Sequence, residues 1–315
     1  MVLNILILLI GLVALILGGN FLIKGSSSFA LKMNLSPLVV GLTVVAFGTS
    51  APELLISVKA ALSGSPDLAM GNVIGSNICN LALVLGLTAI IFPIRVRKNS
   101  IRLDWPMTMG SSLLLYILVR EGFVNSYEGL IFVGILIIYI YLVIRKSRKD
   151  MKIAKELEQD FDLPNSSTTY LKDFTFIALG SAGLYFGAEW FVGGAQDFAR
   201  QMGVEERVIG ITVVAIGTSL PELVTATVAS FKKETDMALG NLMGSNIFNI
   251  LSILGITSII KEIQVSDIML NTDIIWMLGI TLIILPMMLS SRQVGRVEGG
   301  ILLIIYMYYT YTVVW

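Results

Sequence analysis

Gly41-Leu-Thr-Val-Val-Ala-Phe-Gly-Thr-Ser-Ala-Pro-Glu53 recurs as Gly210-Ile-Thr-Val-Val-Ala-Ile-Gly-Thr-Ser-Leu-Pro-Glu222, identical at 10 of 13 positions and displaced by 169 residues. Gly71-Asn-Val-Ile-Gly-Ser-Asn-Ile-Cys-Asn80 recurs at the same shift as Gly240-Asn-Leu-Met-Gly-Ser-Asn-Ile-Phe-Asn249, identical at 7 of 10. The weaker pair Gly18-Gly-Asn-Phe-Leu and Gly187-Ala-Glu-Trp-Phe keeps that spacing. The chain is therefore two copies of one unit, and how the copies face each other depends on how often each crosses its surroundings.

Those surroundings are lipid. Of 315 residues, 55% are hydrophobic and 14% charged, against roughly 25% charged in a soluble domain. Apolar runs of about 20 residues, enough to cross roughly 30 Å of hydrocarbon, occur near 2–23, 37–61, 67–92, 104–119, 127–144, 170–198, 206–230, 236–260, 273–289 and 296–314. The first run starts at Met1 without a basic n-region or a small-residue cleavage site and is expected to stay as a span. Five spans per copy is an odd number, so the second copy enters the membrane upside down. The predicted fold is an all-α membrane protein of ten transmembrane helices in two inverted five-helix repeats, with broken helices at the midplane. The first repeat covers 1–145, with its motif at 41–80, and the second covers 170–315, with its motif at 210–249. Residues 146–169, charged and then Pro/Ser/Thr-rich, read as a solvated linker.

Lysine and arginine set the expected orientation. Loops after odd-numbered spans hold 17 of them and the other side holds 5. The positive-inside rule makes the odd loops and the 146–169 linker cytoplasmic, and both termini extracellular, in a multi-pass cell-membrane protein. The 22 basic and 22 acidic residues cancel, which leaves no basic excess to hold a nucleic acid. With no histidine and Cys79 as the only cysteine, His- or Cys-based metal centres, Ser-His and Cys-His nucleophiles and an internal disulfide are excluded. An intramembrane enzyme also lacks a Gly-x-Gly-Asp site or a Ser-Lys pair within a span, and no charged ring marks a channel filter. Neither an enzyme, a cofactor nor a protein partner is expected; ions and the bilayer are.

Pro52 and Pro221 each sit inside an apolar span. Proline removes a backbone donor and clashes with the preceding turn, so a break should free carbonyls around Ala46 to Thr49 and Ala215 to Thr218. Glu53 and Glu222 follow directly. A carboxylate at a helix centre costs roughly 2.5 to 3.5 kcal/mol on the insertion scale, and neither Gly-to-Glu motif contains a lysine or arginine, the nearest to either acid along the chain being Lys59, six residues past Glu53. A divalent cation between the two acids would offset that cost. Ser76 and Asn80, and again Ser245 and Asn249, lie four residues apart and so share a helix face, offering neutral oxygens. Hard cations such as Na+ and Ca2+ take oxygen ligands of these kinds. The glycines of Gly71-x-x-x-Gly75 and Gly240-x-x-x-Gly244 suit close helix packing.

The paired G-x-T-V-V-A-x-G-T-S-x-P-E and G-N-x-x-G-S-N-I-x-N motifs resemble the two alpha-repeats of the calcium/cation antiporter superfamily, most of all its prokaryotic sodium/calcium exchangers. The resemblance implies an antiporter exchanging Na+ for Ca2+ by alternating access, with cation sites arranged in a diamond between the two broken-helix pairs. Carried over by motif position, Glu53 and Glu222 would bind Ca2+ with the carbonyls of Thr49 and Thr218. The carbonyls of Ala46 and Ala215 with the hydroxyls of Ser50, Ser76, Ser219 and Ser245 would form flanking Na+ sites, and Asn80 and Asn249 would line the middle. The helices containing 2–23 and 170–198 would slide across the rigid core. Proton-coupled relatives commonly carry an acid where this chain has Gly75 and Gly244, and potassium-dependent ones carry Asp at the position of Asn249. Proton/calcium and potassium-dependent exchange are the alternatives. Holding a ten-thousand-fold Ca2+ gradient takes about 5.5 kcal/mol, whereas two Na+ moving down a tenfold gradient supply about 2.7 and three about 4.1. A third Na+ also moves one net charge, worth about 2.3 kcal/mol per 100 mV, so an electrogenic ratio of three Na+ per Ca2+ is expected.

Overall fold

Helix starts in this chain are written in Ser, Thr and Pro. The Ser36 hydroxyl accepts from Val39 N at 3.4 Å just ahead of Pro37, and Thr169 accepts from Lys172 N at 3.4 Å. Pro66 and Pro221 occupy first-turn positions, where a missing N–H costs no helical hydrogen bond. The computed structural model describes residues 2–157, 169–203 and 217–314. Among them run ten helices: α1 (Val2–Met33), α2 (Pro37–Leu62), α3 (Pro66–Ile91), α4 (Trp105–Leu118), α5 (Ser126–Leu157), α6 (Tyr170–Gln201), α7 (Leu220–Phe231), α8 (Thr235–Ile260), α9 (Met269–Ser290) and α10 (Arg296–Val314). Seven of these, α1, α2, α3, α5, α6, α8 and α9, are long and apolar enough to cross a membrane. The molecule is a helical, multi-pass membrane protein.

Several boundaries differ from the hydropathy reading. Helices α1 and α6 are 32 residues each, longer than the apolar runs that marked them, because their polar ends continue the helix beyond the hydrocarbon. Helix α5 extends to Leu157, so the early part of the 146–169 linker is helical; residues 158–168 lie outside the described residues. So do residues 204–216, which include the second Gly210–Glu222 motif up to Ile216.

Four two-residue strands form two ribbons. β1 (Ile94–Arg95) pairs with β4 (Gln293–Val294), and β2 (Phe123–Val124) pairs with β3 (Ile263–Gln264), both antiparallel. Adding 169 to β1 gives β3, whereas β2 reaches β4 only at a shift of 170. That one-residue change persists downstream: Asn125 N donates to Glu128 Oε2 at 2.7 Å and Gly295 N donates to Glu298 Oε2 at 3.0 Å. The helical run from Ser100 to Leu118 separates β1 from β2 by roughly 28 Å at 1.5 Å per residue, so the ribbons lie at opposite ends of the molecule.

Helix α8 is the most enclosed span, with 83% of its apolar window buried, against 28% for α1 and 17% for α6. Helices α2, α3, α7 and α8 therefore make the interior, and α1 and α6 pack along each other at its side. Glycine permits that pairing, since a Cβ on Gly18 would sit 2.7 Å from Leu184 N and one on Gly187 2.7 Å from Leu15 N. At one end Lys32 forms an ion pair with the fully buried Asp173, tying α1 to α6. The polar ends of α1, α3, α5, α7 and α9 converge on one face. There Lys32, Arg148 and Lys152 line one cleft and Arg95, Lys233 and Arg292 another, beside the Arg97–Asp236 ion pair.

Candidate cation site

The first motif does not break as expected. Helix α2 continues unbroken through Pro52, and the irregularity lies two to three turns earlier as a π-helical stretch at Gly41–Val45, whose end puts Ala46 N on Gly41 O. Wide turns of this kind recur at Cys79–Val84 in α3 and Asn249–Leu254 in α8, and π turns are frequent at functional sites. In the second copy Thr218 and Ser219 form a turn, and α7 begins at Leu220 with Glu222 in its first turn, where the positive end of the helix dipole favours a carboxylate.

These elements bring the expected residues into one interior network. Glu53 is 1% exposed and Glu222 0%, and Ala46, Thr49, Ser50, Ser76, Asn80, Ser219, Ser245 and Asn249 are buried with them. Thr218 is half-buried, and Ala215 lies outside the described residues. The Glu222 Oε1 atom accepts from Ser50 Oγ at 3.3 Å and from Ser245 Oγ at 3.4 Å. Thr49 Oγ1 lies 3.3 Å from Ser245 Oγ, 3.2 Å from Asn241 Oδ1 and 3.2 Å from Ala46 O. Residues from both copies of the motif thus share hydrogen bonds. The two carboxylates are within electrostatic range of one another. Among the described residues neither forms an ion pair with a lysine or arginine, and Lys59 is exposed.

Four asparagines complete the network. Asn72 Nδ2 donates to Glu53 O at 3.1 Å and to Ser57 Oγ at 2.9 Å. Asn249 Nδ2 donates to Asn77 Oδ1 at 3.0 Å, and Asn77 Nδ2 donates to Asn246 O at 3.4 Å, joining equivalent positions of the two copies. Asn72, Asn77, Asn241 and Asn246 were visible as duplicated amides in the Gly-Asn and Ser-Asn steps of the motif; the four-residue spacing used to pick Ser76 and Asn80 passed over them.

Many buried polar atoms here have no hydrogen-bond partner among the described residues. They include both carboxylate oxygens of Glu53, Oε2 of Glu222, the hydroxyls of Ser76, Ser219 and Thr225, both amide atoms of Asn80 and Oδ1 of Asn249. A buried polar atom left unsatisfied costs about 1 to 3 kcal/mol, so this many in one place calls for a ligand that satisfies them together. Two carboxylates with hydroxyl, amide and carbonyl oxygens suit a hard cation. Among the described residues no group of three or more His, Cys, Asp or Glu side chains comes together.

The family model described as "Sodium/calcium exchanger protein" matches residues 3–145 and 172–315. The chain is 38% identical over 309 residues to the "Putative antiporter CaxA" of Alkalimonas amylolytica, covering 96% of each. It is 30% identical over 336 aligned positions to the "Sodium/calcium exchanger MaX1" of Methanosarcina acetivorans, again covering 96% of each. Its structure is similar to that of the sodium-calcium exchanger NCX_Mj soaked with zero Na+ and Ca2+, at a TM-score of 0.84 and 31% identity over 99% of both chains. A family model spanning both copies of the motif, relatives matched end to end and a shared fold lead to one conclusion: this chain belongs to the sodium/calcium exchanger family.

Proposed function

We propose that this protein is a secondary antiporter that exchanges Na+ for Ca2+ by alternating access, at three Na+ per Ca2+ and with net charge movement. One observation carries the reading: Glu53 and Glu222 are buried together with no basic partner among the described residues. Two ionised carboxylates balance one Ca2+ and leave one positive charge with three Na+, so the two loads differ in charge. Ca2+ would take Glu53 and Glu222 with the carbonyls of Thr49 and Thr218. Na+ would use the carbonyls of Ala46 and Ala215 and the hydroxyls of Ser50, Ser76, Ser219 and Ser245, with Asn80 and Asn249 lining the middle. Membership of the family and the sodium/calcium exchanger named among the relatives support the choice of ions.

The ten helices are read as transmembrane and as two inverted repeats, 1–145 and 170–315, joined by the 146–169 linker. The 169-residue motif shift and the way each ribbon maps onto the other support this. The face where the ends of α1, α3, α5, α7 and α9 meet is taken as cytoplasmic on its basic content, which puts both termini outside. The glycine-packed pair α1 and α6 would move as one body across the interior helices to change access. The test is 45Ca uptake into Na+-loaded proteoliposomes. Glu53→Gln and Glu222→Gln should each abolish Na+-driven uptake, and uptake retained in either refutes the reading. Uptake driven by a pH gradient without Na+ would instead point to proton coupling.

A further inference from the structure

Beside the β1–β4 ribbon, at the basic face, three segments enclose a cavity of about 530 Å³. Arg95 of β1 and Arg97 just after it supply one wall, Lys233 and Asp236 from the turn between α7 and α8 a second, and Arg292 ahead of β4 a third. Arg97 forms an ion pair with Asp236, whereas among the described residues Arg95, Lys233 and Arg292 form none. Glu234, the next acid in that turn, does not line the cavity. The one apolar residue lining it, Val96, is buried, so no exposed apolar wall is present.

Two of these cations stand where the backbone favours glycine. Lys233 has a φ of 64° and Arg292 a φ of 51°, in the left-handed region where a Cβ crowds the neighbouring carbonyl. The internal repeat supplies a control. Lys233 is matched by Gly64 at a shift of 169, and Arg292 by Gly122 at the shift of 170 found around this ribbon; those glycines have φ values of 78° and 84°. Arg95 and Arg97 are matched by Gln264 and Ser266, while Asp236 is matched by Asp67. The turns are thus duplicated and the four cations are not. The other non-glycine residue at positive φ among the described residues is Asn34, a type that tolerates that region. Positive charge that only sets topology can stand anywhere near the helix ends on this face. It does not need lysine and arginine at two glycine positions bordering one cavity.

We propose that this cavity binds a soluble polyphosphate anion, such as the triphosphate group of a nucleotide, between Arg95, Lys233 and Arg292. Guanidinium forks match phosphate oxygens in pairs and the lysine adds a point charge. A single phosphate would leave much of the cavity unfilled, and a lipid would find no apolar wall for its chains.

The experiment is isothermal titration calorimetry of the full chain in neutral detergent, free of divalent cations, with inorganic triphosphate as the probe. The expected result is saturable binding of one triphosphate per chain, with inorganic monophosphate at least about tenfold weaker. At about tenfold for each charge-assisted contact removed, the double variant Lys233→Gly, Arg292→Gly should bind roughly 100-fold more weakly. Because glycine relieves both left-handed positions, the same variant should melt at or above the temperature of the parent. Arg95→Gln leaves both turns untouched and should cost about tenfold by itself. A matched variant, Arg145→Gln, Lys149→Gln, removes equal charge elsewhere on the face and should stay within a few-fold of the parent. Absence of saturable binding, equal losses in the two double variants, or displacement by phosphatidylglycerol micelles as effective as by free triphosphate would overturn the proposal. No transport is measured, so none of these outcomes bears on the ion-exchange reading.

Discussion

Asn72 and its counterpart Asn241 do different work. Asn72 holds the main-chain carbonyl of Glu53 and the hydroxyl of Ser57, within its own copy of the repeat. Asn241 instead faces Thr49 of the other copy, and the position matching Ser57 is Ala226. Asn72→Ala should therefore loosen the backbone that aims Glu53. Losing a buried hydrogen bond worth about 1.4 kcal/mol should lower apparent Ca2+ affinity about tenfold, read from the Ca2+ dependence of uptake, with the maximal rate less affected. The acids themselves were legible in the sequence, because hydrocarbon penalises charge and two matched penalties need a shared cause. The amides were not, since an Asn in a packed helix can serve neighbouring backbone as readily as an ion, and only the fold distinguishes Asn80, whose amide has no partner among the described residues, from Asn246, whose amide donates to Leu242 O at 2.7 Å.

Helices α1 and α6 lie backbone to backbone over much of their length, and glycine decides how close. Gly18→Val would force side-chain atoms into the Leu184 main chain, where a Cβ already meets N at 2.7 Å. Overpacking of this kind costs about 1 to 3 kcal/mol, so the variant should melt lower in detergent and transport more slowly. Gly193, on the same helix as Gly180 and Gly187, has nothing within 4 Å of its Cβ position. Gly193→Ala should melt at the same temperature or higher, gaining up to about 1 kcal/mol of helix propensity. Hydropathy located these helices well, because apolar length is what the bilayer demands. It did not report where α1 and α6 end, since beyond the hydrocarbon a polar helix and a polar loop read alike. The π turns were also invisible, because no residue within them forbids the regular helix. At Pro52 the sequence pointed to a gap, and the helix instead accommodates the missing donor in place.

At the scale of the whole molecule the proposals concern sides and charge. In a Cys79→Ala background, cysteines at the exposed positions Lys98 and Lys261 should react with a membrane-impermeant maleimide from opposite sides of oriented vesicles; labelling from one side would contradict the inverted reading. In Na+-loaded vesicles, three Na+ leaving for each entering Ca2+ carry one positive charge outward, so an interior-positive potential should speed 45Ca uptake and an interior-negative one should slow it. The duplication was readable along the whole chain, but the joining of the copies was not, since two-residue strands leave no periodicity to read. Those ribbons have a mechanical consequence. With Ile94 and Arg95 seamed to Val294 and Gln293 at one rim, and Phe123 and Val124 to Gln264 and Ile263 at the other, the frame is stitched top and bottom and cannot open like a clamshell. The covalent tether between the copies is then mechanically redundant: fragments 1–157 and 169–315, made as separate chains in one cell, should knit into a working transporter.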